Sequence, residues 1–225
     1  MKQARRLFTR FSSPQLAVLR RLDSPSKVQD FLDYELRYNR AHRPACMSVR
    51  RVLETGKAHC IEGALLAAAA FLWHGREGLL LDLRANPRDD DHVIAPFREK
   101  GLWGAVAKSN YCGLRYREPV YKSYGELARS YFEFYYNPAG EKTLREYSAP
   151  FGALRLKPGW LDSSGSVYYA GRALDKARHF RIVGASRERA LRPADSALRR
   201  AEILGCPGGP LTRRRPEPYS RPPRR

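Results

Sequence analysis

The chain has 225 residues, a formal net charge of +19 at pH 7, 43% hydrophobic residues and 11% aromatics. That length and apolar fraction suit one sizeable folded core and exclude a wholly disordered or fibrous chain. No apolar run reaches the roughly 18 residues of a membrane span, because the best one is broken by His74 and the charges after it.

The charge is uneven. From Arg172 to Arg225 there are 15 basic and 5 acidic residues. Such a stretch points to an acidic partner or nucleic acid; a solvated Arg-rich face is the plainer reading. The start, Met1 to Arg6, is basic, but no apolar stretch follows, which argues against a secretory signal, and acidic residues from Asp23 onward weaken an organelle transit reading. Cys46, Cys60, Cys112 and Cys206 form no CxxC and no pairing rhythm, so free thiols in a reducing cytoplasm are expected.

In chain order, Ser13-Pro14 starts a short helix reaching Leu22. Ser24-Pro25 then pairs an N-cap Ser with Pro at the first helical position, and Val28, Phe31, Leu32 and Leu36 recur at helical spacing to about Tyr38. Met47 to Glu54 adds a turn or two. An Ala- and Leu-rich helix runs from about His59 to Trp73 and ends near Gly75; its small side chains allow close approach to a sheet, so it is expected to be central and buried. Three strands follow, Leu79 to Leu83, His92 to Phe97 and Leu102 to Ala107, with Lys100-Gly101 as a hairpin turn between the last two. Gly125 to Tyr136 reads as an aromatic-faced helix. Tyr147 to Leu156 and Val167 to Tyr169 read as weaker strands, and Arg172 to Arg181 and Arg187 to Leu204 as basic helices. The Pro/Arg-rich end cannot build a core and reads as disordered. The expected division is a basic N-terminal segment (1–24), a domain (25–156), a basic helical extension (157–206) and a disordered tail (207–225).

Cys60 falls at the first turn of the Ala-rich helix. Unpaired backbone N–H groups and the helix dipole there favour a thiolate, the reactive form of cysteine. A buried free cysteine is also an ordinary small hydrophobe. A nucleophile needs a base and an orienter. His92 opens a strand 32 residues later, with one strand between. A hairpin centred on Lys100-Gly101 sets His92 opposite Lys108 or Ser109, and a one-residue bulge brings in Asn110. Lys cannot accept from an imidazole, whereas an Asn carbonyl can and a Ser hydroxyl can more weakly. Asn110 is favoured as orienter and Ser109 stands second, with Asp89 to Asp91 as a third option. A metal site built from His59, Cys60, His92 and Cys112 matches no usual zinc spacing.

The order of Cys60 at a helix start, His92 on a strand and a polar acceptor after the next strand resembles the transglutaminase-like superfamily, the circularly permuted relatives of papain-like thiol enzymes. The stretches Gly56 to Ala64, Asp91 to Arg98 and Trp103 to Tyr111 look like a bacterial subgroup of it, and the likeness spans roughly Pro25 to Pro150. It implies an α+β fold with a Cys-bearing central helix packed on an antiparallel sheet, N-terminal helices before it and a basic extension after it. It also implies a cofactor-free thiol enzyme acting on amide bonds of a peptide or amide substrate. Its catalytic residues are Cys60, His92 and Asn110 or Ser109, although most active members place Asp third. The contrasting reading is an inactive fold of this kind serving as a basic binding module.

Overall fold

The computed structural model describes residues 6–40 and 46–203. The expected disordered tail (207–225), Cys206 and residues 1–5 of the basic N-terminal segment lie outside them.

Local chemistry sets the helix starts. Ser12 accepts from the Gln15 N–H while the Gln15 side chain returns to the Ser12 N–H, a capping box that opens helix Ser13–Arg21. Ser24 and Pro25 start helix Pro25–Asp30 as expected. It does not run on to Tyr38 but widens into a π turn, Phe31–Glu35. Lys108 supplies the reason: its ammonium donates to the carbonyls of Leu32 and Leu36, satisfying oxygens that a continuing helix would have used. Helix Val49–Thr55 is capped by Ser48 and closed by Gly56 at φ 62°. The central helix, Cys60–Trp73, buries every one of its residues except Cys60.

Two short strands, β1 (Arg37–Tyr38) and β2 (Lys57–Ala58), pair in parallel just before this helix. The large sheet is antiparallel. β3 (Leu79–Ala85) and β4 (His92–Glu99) lie at its centre, and β5 (Leu102–Val106) and β6 (Arg117–Tyr121) extend one side. β7 (Leu144–Ser148) and β9 (His179–Arg181) extend the other, while β8 (Phe151–Gly152) pairs with the start of β3. Lys100 at φ 47° and Gly101 at φ 85° make the β4–β5 turn, both central residues having the positive φ that matches strand twist. Its ladder runs from Glu99↔Leu102 to Ala95↔Val106 and stops there. Ala107 to Asn110 therefore leave the sheet before reaching His92.

Alternation along β4 divides the interior. Val93, Ala95 and Phe97 join the central helix and the N-terminal helices in one core. Ile94, with Leu81 and Leu83, faces a second core built on Leu127, Tyr131 and Tyr135.

Further expectations change. The aromatic helix is only Tyr124–Arg129, followed by a 3-10 turn at Phe132–Phe134. The Arg117 guanidinium donates to Ser130 O and Oγ and lies 3.9 Å over the Tyr131 ring, turning the chain out of the helix. Val167 to Tyr169 is not a strand; Tyr169–Asp175 is helical. Arg172 to Arg181 is not wholly helical, because its end forms edge strand β9, where Phe180 stacks on Tyr147 at 5.3 Å. Arg187 to Leu204 yields helices Ala185–Glu188 and Ser196–Glu202 rather than one. Residues expected outside the domain also reach the main core: Phe8, Phe11 and Leu19 before it, and Trp160, Val167 and Leu174 after it.

Candidate active site

The departure of β5 leaves the edge of β4 open at its first residues, and the N-terminus of the central helix fills that gap. The Cys60 thiol lies 4.0 Å from the Asp91 carbonyl, and the N–H groups of Val93 and Ile61 point at its sulfur. The sulfur thus touches the backbone on both sides of His92. Burial nevertheless dominates those donors, and the negative charges of Asp90 and Asp82 add to it, pushing the thiol up to about 11. That direction runs against the thiolate expected at the helix start, because desolvation by the surrounding protein opposes the helix terminus.

His92 is 6% exposed and sits in the second core, edge-on to Tyr131 and Tyr135 with centroids 6.4 Å away in both cases. Its Nε2 lies 2.9 Å from the Leu114 carbonyl. A carbonyl only accepts, so Nε2 carries the proton and Nδ1 is left with the lone pair. Burial, reinforced by the Arg117 charge, lowers His92 to about 4 against the raising effect of the Leu114 bond. Both partners are neutral at pH 7. No hydrogen bond joins Cys60 to His92 among the described residues.

Of the candidate orienters, Asn110 and Ser109 are buried at 5% and 6%. Ser109 Oγ accepts from the Tyr111 N–H and its carbonyl accepts from Arg115, which shapes their own turn. Asp91 accepts from the Ala85 N–H at 2.8 Å and Asp89 from the Thr143 hydroxyl at 2.6 Å, closing the β3–β4 loop. The imidazole Nε2 is held by the Leu114 backbone carbonyl. No residue type marks such an acceptor, so sequence reasoning had no signal for it. Two supports of that carbonyl were missed as well. Arg117 donates to Gly113 O at 2.6 Å, and Glu202 accepts from the Gly113 N–H with both oxygens, at 3.1 and 2.9 Å.

Glu62, fully buried two residues after Cys60, ties the surroundings together. It accepts from the backbone N–H groups of His59 and Met47, both at 2.8 Å, and from the Asn39 amide at 3.1 Å. On the helix-facing side of the sheet, Asp82 meets His179 Nε2 at 3.0 Å, and the side chains are 3% and 6% exposed. An acid inside the apolar run Leu79-Leu80-Leu81-Asp82-Leu83 was a legible signal for this pair.

Among the described residues, one set of three metal-ligating side chains converges, Asp82, Asp91 and Asp175, with carboxylate oxygens within 4.8 Å of one another. Asp82 already faces His179 and Arg84, and Asp91 the Ala85 N–H, so cations and a donor compete for the same oxygens. His59, Cys60, His92 and Cys112 do not assemble such a set. No helix of the described residues is long and apolar enough to cross a membrane. Neither protein-family models nor curated proteins offer a match to this chain.

Proposed function

We propose that the protein is a transglutaminase-like thiol enzyme that attacks an amide or related acyl carbon through Cys60, with His92 as base. One observation carries this reading. The thiol touches the backbone on either side of His92, and that ring is anchored so that its unprotonated nitrogen is Nδ1. Because thiol and imidazole are both neutral, the proton moves to Nδ1 as sulfur attacks, not beforehand. The S–C bond forms, the amide C–N bond breaks, and His92 returns the proton to the leaving amine. The thioester then passes to water or to an amine. The Leu114 carbonyl takes the orienting role that related enzymes give to Asp or Asn, and it also stabilises the transient imidazolium. No cofactor enters these steps.

The test uses a generic acyl donor. With p-nitrophenyl acetate, the full-length protein should release p-nitrophenolate and gain one acetyl group as a thioester on Cys60, mapped by mass spectrometry. Cys60→Ala should abolish the label and His92→Gln should slow it by about a hundredfold or more. Equal labelling of Cys46, Cys60 and Cys112, or labelling indifferent to His92→Gln, would overturn the reading and leave a basic binding module on an inactive fold.

A further inference from the structure

A pocket of about 560 Å³ opens beside the β1–β2 pair, one short strand before Cys60. Three of its lining residues are cationic, Arg37, Arg51 and Lys57, and none is acidic. The parallel register sets Arg37 directly against Lys57. Like charges on paired positions repel, and nothing about a two-residue strand pair requires them. Among the described residues neither side chain forms an ion pair, although each is exposed and free to turn. Arg51 is fixed by its bond to the Ser164 carbonyl at 2.7 Å. Ser166 adds a hydroxyl to the wall, and Asn39 an amide side chain that is held by Glu62.

We propose that this pocket is an anion-binding site for the carboxylate or phosphate group of a small acidic ligand or acidic side chain. An oxyanion seated between Arg37, Lys57 and Arg51 converts the cross-strand repulsion into charge-assisted hydrogen bonds. The site lies close to the thiol. Lys57 is three residues before Cys60, at most about 10 Å along the chain. Cys46 lines the pocket, and burial pushes its thiol up. Resting on the acyl-transfer reading, the anion is then the anchor of the acyl substrate, so the enzyme selects acidic substrates.

The experiment measures binding in the Cys60→Ala protein, where the chemistry is absent. Inorganic phosphate and N-acetylglutamate are titrated at fixed ionic strength and followed by amide NMR shifts, with the uncharged N-acetylglutamine amide (both carboxyl groups amidated) as reference. At least one anion should bind with shifts centred on Arg37, Arg51 and Lys57, and the better one names the ligand group. Arg37→Gln/Lys57→Gln should weaken it about tenfold or more. The exposed pair Arg187→Gln/Arg189→Gln, with the same change in net charge, should leave it unchanged. No saturable binding of either anion, or equal weakening by both double variants, overturns the proposal. If the anion binds but no acetyl-thioester forms in the wild type, the anion site stands and the catalytic reading falls.

Discussion

Glu202 clasps the backbone N–H of Gly113 with both carboxylate oxygens, at 3.1 and 2.9 Å, one residue before the carbonyl that anchors His92. The helix Ser196–Glu202 therefore reaches the site through the 3-10 turn Cys112–Leu114. Gly113 admits this approach, since a Cβ there would lie 2.4 Å from Glu202 Oε1.

Glu202→Ala should cost about 1–3 kcal/mol, the usual worth of losing a buried hydrogen bond to a charged group. The same variant should shift the His92 ring resonances, because the Leu114 carbonyl loses its support. Thermal unfolding and imidazole NMR test both. Unmoved His92 resonances in a destabilised variant would confine Glu202 to a structural role.

Stability should fall with acid through His92. Its folded value is near 4, below the 6.5 of a free imidazole. Above about pH 6.5 the ring is neutral in both states, and its contribution is fully present. As pH falls below that value, the unfolded chain binds a proton that the folded one refuses. The loss grows to about 3 kcal/mol near pH 4 and then levels. Urea unfolding at pH 7, 5.5 and 4.5 should show a slope that His92→Gln flattens. A variant with the wild-type slope would assign the effect to other groups.

Two glycines separate a close approach from ordinary helix propensity. A Cβ on Gly63 would meet Lys108 Cβ at 2.5 Å, whereas on Gly171 it would touch Ile61 Cδ1 at 3.7 Å. Gly63→Ala should destabilise by about 1–3 kcal/mol, as the segment after β5 is forced off the first turn of the central helix. Gly171→Ala should be neutral or stabilise by up to about 1 kcal/mol. Denaturant midpoints for the two variants test the contrast, and similar effects would refute it.

The Asp82–His179 pair is enclosed between strands: the Ser148 hydroxyl accepts from the Asp82 N–H, and Ser148 pairs with His179. Removing one member strands the other. Asp82→Ala should cost about 3–5 kcal/mol. His179→Ala added to it should cost little more, giving a coupling above about 1 kcal/mol in a double-mutant cycle. Additive losses would mean that the two groups do not depend on each other.

Much of the local architecture was legible because short-range chemistry encodes it. Ser13-Pro14 and Ser24-Pro25 mark helix starts, Lys100-Gly101 marks a hairpin, and the apolar run after Cys60 marks a helix without a solvent face. Long-range substitutions for local bonds were not legible. The helix after Pro25 widens because Lys108, far along the chain, takes its carbonyls, and the aromatic helix stops where Arg117 captures Ser130. Edge strand β9 was hidden because its charges match a solvated helix as well as they match a sheet edge.

The same boundary runs through the site. By itself the sequence determined that Cys60 begins a buried helix and that His92 begins the strand beside it, since capping and periodicity act within a few residues. Only the tertiary structure decided their protonation and their supports. Burial is a sum over the whole fold, and it outweighs the helix terminus at Cys60 and keeps His92 neutral. The carbonyl that holds the imidazole comes from backbone, which has no letter in the sequence, and its brace comes from Glu202 at the other end of the described chain.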